Sequence, residues 1–311
     1  MASFEPAYVD TYKSGQLQEK IDRAYAVLAS CTLCPRKCRV DRLEDQVGIC
    51  RTGKQAWVSS FNAHFGEEAP LVGRNGSGTI FFTHCNLLCN FCQNYDISHE
   101  GIGEKVSDEH LAEIMLRLQR DGCHNINLVT PSHVVPQILS ALAIAADGGL
   151  SIPLVYNSGG YDRVETLRLL EGVFDIYMPD FKFWDPKIAA RTCQAEDYPE
   201  VARNALVEMQ RQVGELVLDA AGIAQRGLLI RHLVLPAGLA GTRPIMQFIA
   251  GNVSPDSYVN IMPQYRPCGR AAEVPELAVC PTAEEFAAAM ADARQAGITR
   301  LDRPRRVFVL G

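Results

Sequence analysis

From residue 76 onward the chain alternates short runs of β-branched and aromatic residues with longer stretches whose apolar side chains recur every three or four positions. A strand buried on both faces reads as a continuous apolar run and an amphipathic helix as an apolar stripe, so the alternation predicts βα units around a parallel sheet. Strands are predicted at 79–83, 126–129, 154–157, 174–180, 228–235 and 258–262, with 306–310 as a candidate seventh. Ser107 reads as the N-cap of a helix that buries Leu111, Ile114, Met115 and Leu118 on one face. Asp185 before Pro186 marks a second helix start, and Thr282 with Glu285 makes a capping box for a helix ending near Gly297. About six βα repeats are fewer than the eight of a closed barrel. The expected fold class is therefore α/β, a partial open (β/α)6 TIM-like barrel.

The segment before residue 76 has a different texture. Leu17, Ile21, Tyr25 and Leu28 give one amphipathic helix, followed by a cysteine-dense stretch at 31–50. Residues 1–75 are expected to form an N-terminal helix and Cys-rich metal-binding module, joined through 73–78 to a barrel over 76–311. The 311 residues are 47% hydrophobic and 21% charged, ordinary globular usage. A net charge of -6 excludes the basic footprint of a nucleic-acid binder. The first ten residues lack a charged segment followed by an apolar one, and the apolar stretch at 138–146 is broken by Asp147, Gly148 and Gly149. A cytoplasmic protein with no membrane partner is expected. Eleven cysteines in such a protein point to metal binding or redox chemistry rather than disulfides.

Seven of those cysteines fall in two tight groups between Cys31 and Cys92. Cys85, Cys89 and Cys92 follow directly on the first barrel strand, at the strand end where parallel α/β sheets bind ligands. Three thiolates on one short loop can take three corners of a [4Fe-4S] cubane, leaving the fourth iron open to an outside ligand. A zinc site with His84 as fourth ligand, or unrelated buried thiols, are the alternatives. Cys31, Cys34, Cys38 and Cys50 supply four thiols, the number for a closed [4Fe-4S] cluster or for structural zinc. Arg36, Lys37, Arg39 and Arg42 would offset the negative charge of either.

The run Cys85-Asn-Leu-Leu-Cys89-Asn-Phe91-Cys92 after a first strand resembles the radical S-adenosylmethionine (SAM) superfamily. That resemblance implies a SAM amine and carboxylate chelating the open iron, reductive cleavage to a 5′-deoxyadenosyl radical, and hydrogen abstraction from a substrate. Cys85, Cys89 and Cys92 would then be the catalytic cluster ligands. Together with Ile230-Arg231-His232 and Val259-Asn-Ile-Met262-Pro263, the run is similar to the branch of the pyruvate formate-lyase activating enzyme, over most of residues 30–311. The resemblance implies an adenine contact at Phe91, an amine contact at Thr130 and Ser132 where relatives carry Gly-Gly-Glu, and ribose contacts at Asn157 and Ser158, with Gly159 beside them. It also implies cofactor contacts at Asp180, Lys182 and Arg231. Relatives end the sixth strand in Pro-Tyr-His, whereas this chain reads Met262-Pro263-Gln264-Tyr265-Arg266.

The expected activity is that of a radical SAM oxidoreductase, activase-like, with a low-potential flavodoxin or ferredoxin as electron donor and a protein or peptide among the candidate substrates. The rival expectation is a two-cluster electron-transfer protein without SAM chemistry, which needs a fourth ligand near Cys85. His64, ahead of the first strand, and Cys193, as a hydrogen-atom donor inside the barrel, are secondary candidates, for both of which a structural role is the commoner reading.

Overall fold

In a computed structural model, which describes residues 4–302, two helices, α1 (Ala7–Lys13) and α2 (Gln16–Ala26), precede a stretch of short turns. The chain continues through β1 (Ala56–His64), α3 (Ala69–Val72), β2 (Ser77–Phe82), β3 (Glu104–Val106), α4 (Asp108–Arg120), β4 (Ile126–Val129), α5 (Val135–Asp147) and β5 (Leu154–Ser158). It then forms α6 (Val164–Leu169), β6 (Ile176–Pro179), α7 (Pro186–Cys193), α8 (Tyr198–Val213), β7 (Val217–Leu218), β8 (Ala224–Leu233), α9 (Thr242–Phe248), β9 (Tyr258–Met262) and α10 (Ala283–Gln295).

Six strands, β2, β4, β5, β6, β8 and β9, pair in parallel in chain order. That order without reversal is the βα progression of a barrel, here left open. On one edge β1 pairs antiparallel with β2 and carries β3 outside it. On the other, β9 has among the described residues only a single bridge to Leu301 beyond its pairing with β8. Both faces of the middle strands are covered: every residue of β5 and β6 is buried. β1 instead alternates buried and half-exposed positions, as an antiparallel edge with one wet face does.

The expected helix starts are present. The Ser107 hydroxyl caps α4, the Asp185 carboxylate caps α7, and Thr282 with Glu285 closes a reciprocal box at the start of α10. The candidate strand at 306–310 lies outside the described residues.

Residues before 76 share the sheet through β1 and share one hydrophobic core, in which Tyr8, Leu17, Ile21 and Leu28 join Ile80, Leu128 and Tyr156. Asp175, just ahead of β6, accepts the backbone N–H of Ala7 at 2.8 Å and of Leu154 at 3.0 Å, so the start of α1 is pinned beneath the barrel. Among the described residues no helix is long and apolar enough to cross a membrane.

At the opposite end, the turn after β5 passes so close to β6 that only glycine fits. Gly160 has φ +75°, and a Cβ there would overlap the Asp180 carbonyl oxygen. Gly160→Ala is therefore expected to cost more than about 1 kcal/mol, because both the backbone conformation and the space forbid a methyl group. Urea unfolding of the variant against the parent measures this.

Candidate active site

The three thiols stand where β2 delivers them. Beyond Phe82 the chain leaves the sheet through His84 (φ 70°) and Leu88 (φ 57°), left-handed conformations that non-glycine residues seldom adopt and that concentrate at functional sites. Hydrogen bonds hold this loop in shape. The Asn86 side chain donates to the Tyr161 carbonyl at 2.8 Å, Asn90 N–H to the Thr192 carbonyl at 2.8 Å, and Cys92 N–H to the Cys89 carbonyl at 3.1 Å. Arg36, from the first cysteine stretch, donates to the carbonyls of Asn86 (2.9 Å), Leu87 (3.0 Å), Cys193 (2.7 Å) and Gln194. Phe91 meets Phe183 and Tyr265 edge to face, each with centroids 5.9 Å apart.

Cys85, Cys89 and Cys92 all line one cavity of about 380 Å³ at the C-terminal ends of the parallel strands. Burial pushes the Cys85 thiol up to about 12 and raises Cys92 as well. Cys89 is raised well above the usual thiol range, first by its hydrogen bond with Cys193, the two sulfurs lying 3.3 Å apart and sharing a proton, and then by burial. Such thiols stay protonated until something positive takes the place of the proton, which is the role of a bound metal centre.

Facing the thiols is a compact set of charges. Asp180, at the end of β6, accepts from Arg231 Nε at 2.7 Å and pairs with Lys182. Burial alone would raise its pKa, but Arg231 and Lys182 outweigh burial and hold Asp180 below the usual carboxylate range. Arg231 also donates to Asn157 Oδ1 at 2.7 Å and lies 3.5 Å from Glu67. The Asp180 carboxylate, the Glu67 carboxyl and two cations in one buried cavity suit a zwitterionic ligand, whose charges can take the place of either partner of the Asp180 pairs.

Of the residues singled out from sequence, Phe91, Thr130, Asn157, Ser158, Gly159, Asp180, Lys182, Arg231 and His64 line this cavity. Thr130 has φ 62°, an outlier for a β-branched residue, and its N–H donates to the Asn157 carbonyl at 2.8 Å. Ser132 is placed elsewhere, buried against Asp162, whose carboxylate also takes the hydroxyls of Tyr156 (3.0 Å) and Ser158 (2.5 Å). One residue was not singled out from sequence. Glu67 reaches the cavity from the segment after β1, a placement that only the antiparallel β1–β2 pairing reveals, although the adjacent carboxylates of Glu67 and Glu68 were a visible signal. Cys193, a candidate hydrogen-atom donor inside the barrel, comes instead from α7 to the back of Cys89 and does not line the cavity.

Cys31, Cys34, Cys38 and Cys50 surround a second, much smaller void of about 10 Å³, together with Arg42 and His133. Among the described residues no three His, Cys, Asp or Glu side chains close on a single metal ion. The donor chemistry of the Cys85 loop fits a polynuclear cluster: three thiols spread around a cavity large enough for a further ligand.

No family model matches the chain. It is 34% identical over 287 residues to "Uncharacterized protein MJ0674" of Methanocaldococcus jannaschii, covering 89% of this chain and 78% of that protein. The chain belongs to that protein's family. A solved structure described as "Native anSMEcpe with bound AdoMet" shares 10% identity at a TM-score of 0.45, over 70% of this chain and 61% of that one. That likeness is too loose to carry an argument, so for this family member the reading of function rests on the cavity.

Glu67 yields a measurable consequence. Burial, opposed by Arg231 and reinforced by Glu68 and Asp180, pushes its carboxyl up to about 7. A group that binds its proton more tightly folded than unfolded contributes stability at low pH and loses it as pH rises through the folded value. Glu67→Gln is expected to flatten the fall in stability between about pH 5 and pH 8, measured by urea unfolding at both.

Proposed function

We propose that this chain is a radical SAM enzyme whose [4Fe-4S] cluster is held by Cys85, Cys89 and Cys92. The observation that carries the reading is that the three thiols share one cavity with the Asp180, Lys182, Arg231 and Glu67 charges at the mouth of an open six-strand parallel barrel. When bound, the cluster and SAM supply the chemistry: one electron breaks the sulfonium S–C5′ bond, and the resulting 5′-deoxyadenosyl radical takes a hydrogen atom from a substrate.

The chain's own residues do the binding and shielding. Asp180 and Glu67 offer carboxylates to an ammonium or to ribose hydroxyls, while Lys182 and Arg231 offer donors to a carboxylate. The αL turn at Thr130 and the Asn157–Gly159 end of β5 bring main-chain polar groups to the same wall. Phe91, fixed between Phe183 and Tyr265, gives an apolar surface beside the thiols. Among the described residues the sheet is not closed between β9 and the β1–β3 edge, and access from that side would suit an activase-like enzyme acting on a protein or peptide, reduced by a flavodoxin or ferredoxin.

A second reading has one observation behind it. Cys193, 3.3 Å from Cys89, is a fourth thiol of the kind that a closed, purely electron-carrying cluster needs. Its position off the cavity wall favours the open cluster.

After anaerobic reconstitution and dithionite reduction, the protein is expected to release 5′-deoxyadenosine from SAM. Cys89→Ala should abolish release while circular dichroism stays that of the parent. Cys193→Ala should retain both iron and cleavage. Undiminished release from the Cys89 variant, or loss of the cluster from the Cys193 variant, would count against the open three-thiol cluster.

A further inference from the structure

A second cavity, of about 260 Å³, lies against the Cys85 loop without being lined by Cys85, Cys89 or Cys92. His84 and Leu88 carry that loop along its wall, and only Ser98 is common to the linings of the two cavities. Its volume comes close to that of small-molecule sites, which begin at roughly 300 Å³.

The charges on this wall are of one sign. Arg36, Arg51 and Arg270 reach it from three separate segments, and among the described residues no carboxylate lines it. The chain as a whole carries a net charge of -6, so the cationic wall is no by-product of composition. Arg36 is fixed by its bonds to the carbonyls of residues 86, 87, 193 and 194. Arg51 follows Cys50 in the left-handed conformation, at φ 51°, and its Nη1 donates to the His99 carbonyl at 3.3 Å. Arg270 is held by its own N–H, which donates to the Asn90 carbonyl at 2.7 Å, beside Gly269, where Tyr95 leaves no room for a Cβ. Its carboxylate neighbour, Glu273, lies outward at 3.6 Å and does not line the cavity. Three like charges converging on one space repel one another, and an oxyanion between them turns that repulsion into attraction.

The uncharged groups agree. His84 Nδ1 and His99 Nε2 are buried ring nitrogens without a hydrogen-bond partner in the protein, and both residues line this cavity. His99 stacks on Tyr95 with centroids 4.1 Å apart and engages Ser98 Oγ through Nδ1 at 2.8 Å, which leaves Nε2 over. That nitrogen passes near the Leu88 carbonyl without the geometry of a hydrogen bond. Either ring nitrogen can carry a proton and donate it to an oxygen. Buried polar atoms are nearly always paired, so two orphans in one cavity mark where a ligand's oxygens belong.

We propose that this cavity binds a phosphate group, with space for a small molecule that carries it. Guanidinium forks match phosphate oxygens two at a time, and a doubly charged group answers three guanidinia better than a carboxylate does. The volume, on the order of eight waters, leaves room beyond the phosphate itself, bounded by the apolar side chains of Ile49 and Leu88. The thiols on this wall are Cys50 and Cys193, and they leave both ring nitrogens unpaired. The site does not rest on the radical chemistry proposed above.

The test is isothermal titration calorimetry of the intact protein with inorganic phosphate and with phenyl phosphate, at fixed ionic strength. One phosphate per chain should bind, and Arg51→Ala with Arg270→Ala should weaken binding roughly tenfold or more for each guanidinium removed. Both residues are exposed, so the variant should keep the parent's circular dichroism. His99→Phe, which keeps a ring against Tyr95 but removes the orphaned nitrogen, should weaken binding as well. Lys13→Ala with Arg117→Ala removes the same charge from exposed positions off the cavity and should leave affinity unchanged. Tighter binding of phenyl phosphate identifies an esterified phosphate as the ligand, tighter binding of inorganic phosphate the free ion, and either supports the site. No saturable binding of either probe at millimolar concentration, or equal weakening in the Lys13/Arg117 control, would overturn the proposal and leave the three arginines as counter-charges to the cysteine groups alone. Release of 5′-deoxyadenosine is no part of this readout, so failure here and failure of the proposed function are separate results.

Discussion

Asp180 is the point on which the barrel mouth depends. It sits just past β6, takes a hydrogen bond from Arg231 of β8, pairs with Lys182, and through Arg231 is connected to Asn157 of β5 and Glu67 beyond β1. A carboxylate buried to this degree is tolerated only because two cations reach it from separate positions along the chain. The same pairing fixes how far the strand ends can splay. It thereby sets the width of the cavity into which the Cys85 loop presents its sulfurs. The arrangement also keeps charge density high without a net charge, a condition that favours exchange of protein partners for ligand partners over simple filling of an apolar hole.

The central parallel strands were legible because they are buried along nearly their whole length. Runs such as Ile126–Val129 and Leu154–Ser158 are mostly apolar on both faces, interrupted by Asn127 in the first and by Asn157 and Ser158 at the end of the second, as strands of a sheet covered on both faces are. Caps were equally legible, since Ser107, Asp185 and Thr282 act within a few residues of themselves. What stayed hidden was antiparallel or distant. β1, with its alternating and half-exposed positions, carries no long apolar run, and without its register against β2 there is no way to see that Glu67 belongs to the cavity. Cys193 is 104 residues from Cys89, so their contact is a property of how α7 packs and of nothing local. Ser132 shows the converse limit: its place after β4 suggested the cavity, but it is drawn inward to the buried Asp162 carboxylate, which also gathers Tyr156 and Ser158.

The two cysteine groups show one chemical requirement met in two ways. On the Cys85 loop the thiols border a large cavity and have Lys182 and Arg231 opposite. In the quartet the space is small and the neighbouring Arg42 guanidinium is fully enclosed. Room for an exogenous ligand therefore exists at the first and is absent at the second, a difference of shape rather than of residue type.

The Arg36 guanidinium occupies four main-chain carbonyls drawn from residues 86, 87, 193 and 194. Among the described residues those acceptors have no other cation in common, so loss of this one guanidinium would loosen the knuckle at Cys34, the loop at Cys89 and the end of α7 together. Amide protons in all three stretches would then exchange faster with solvent, and an oxidant or chelator gaining entry at either sulfur site would find the other already open.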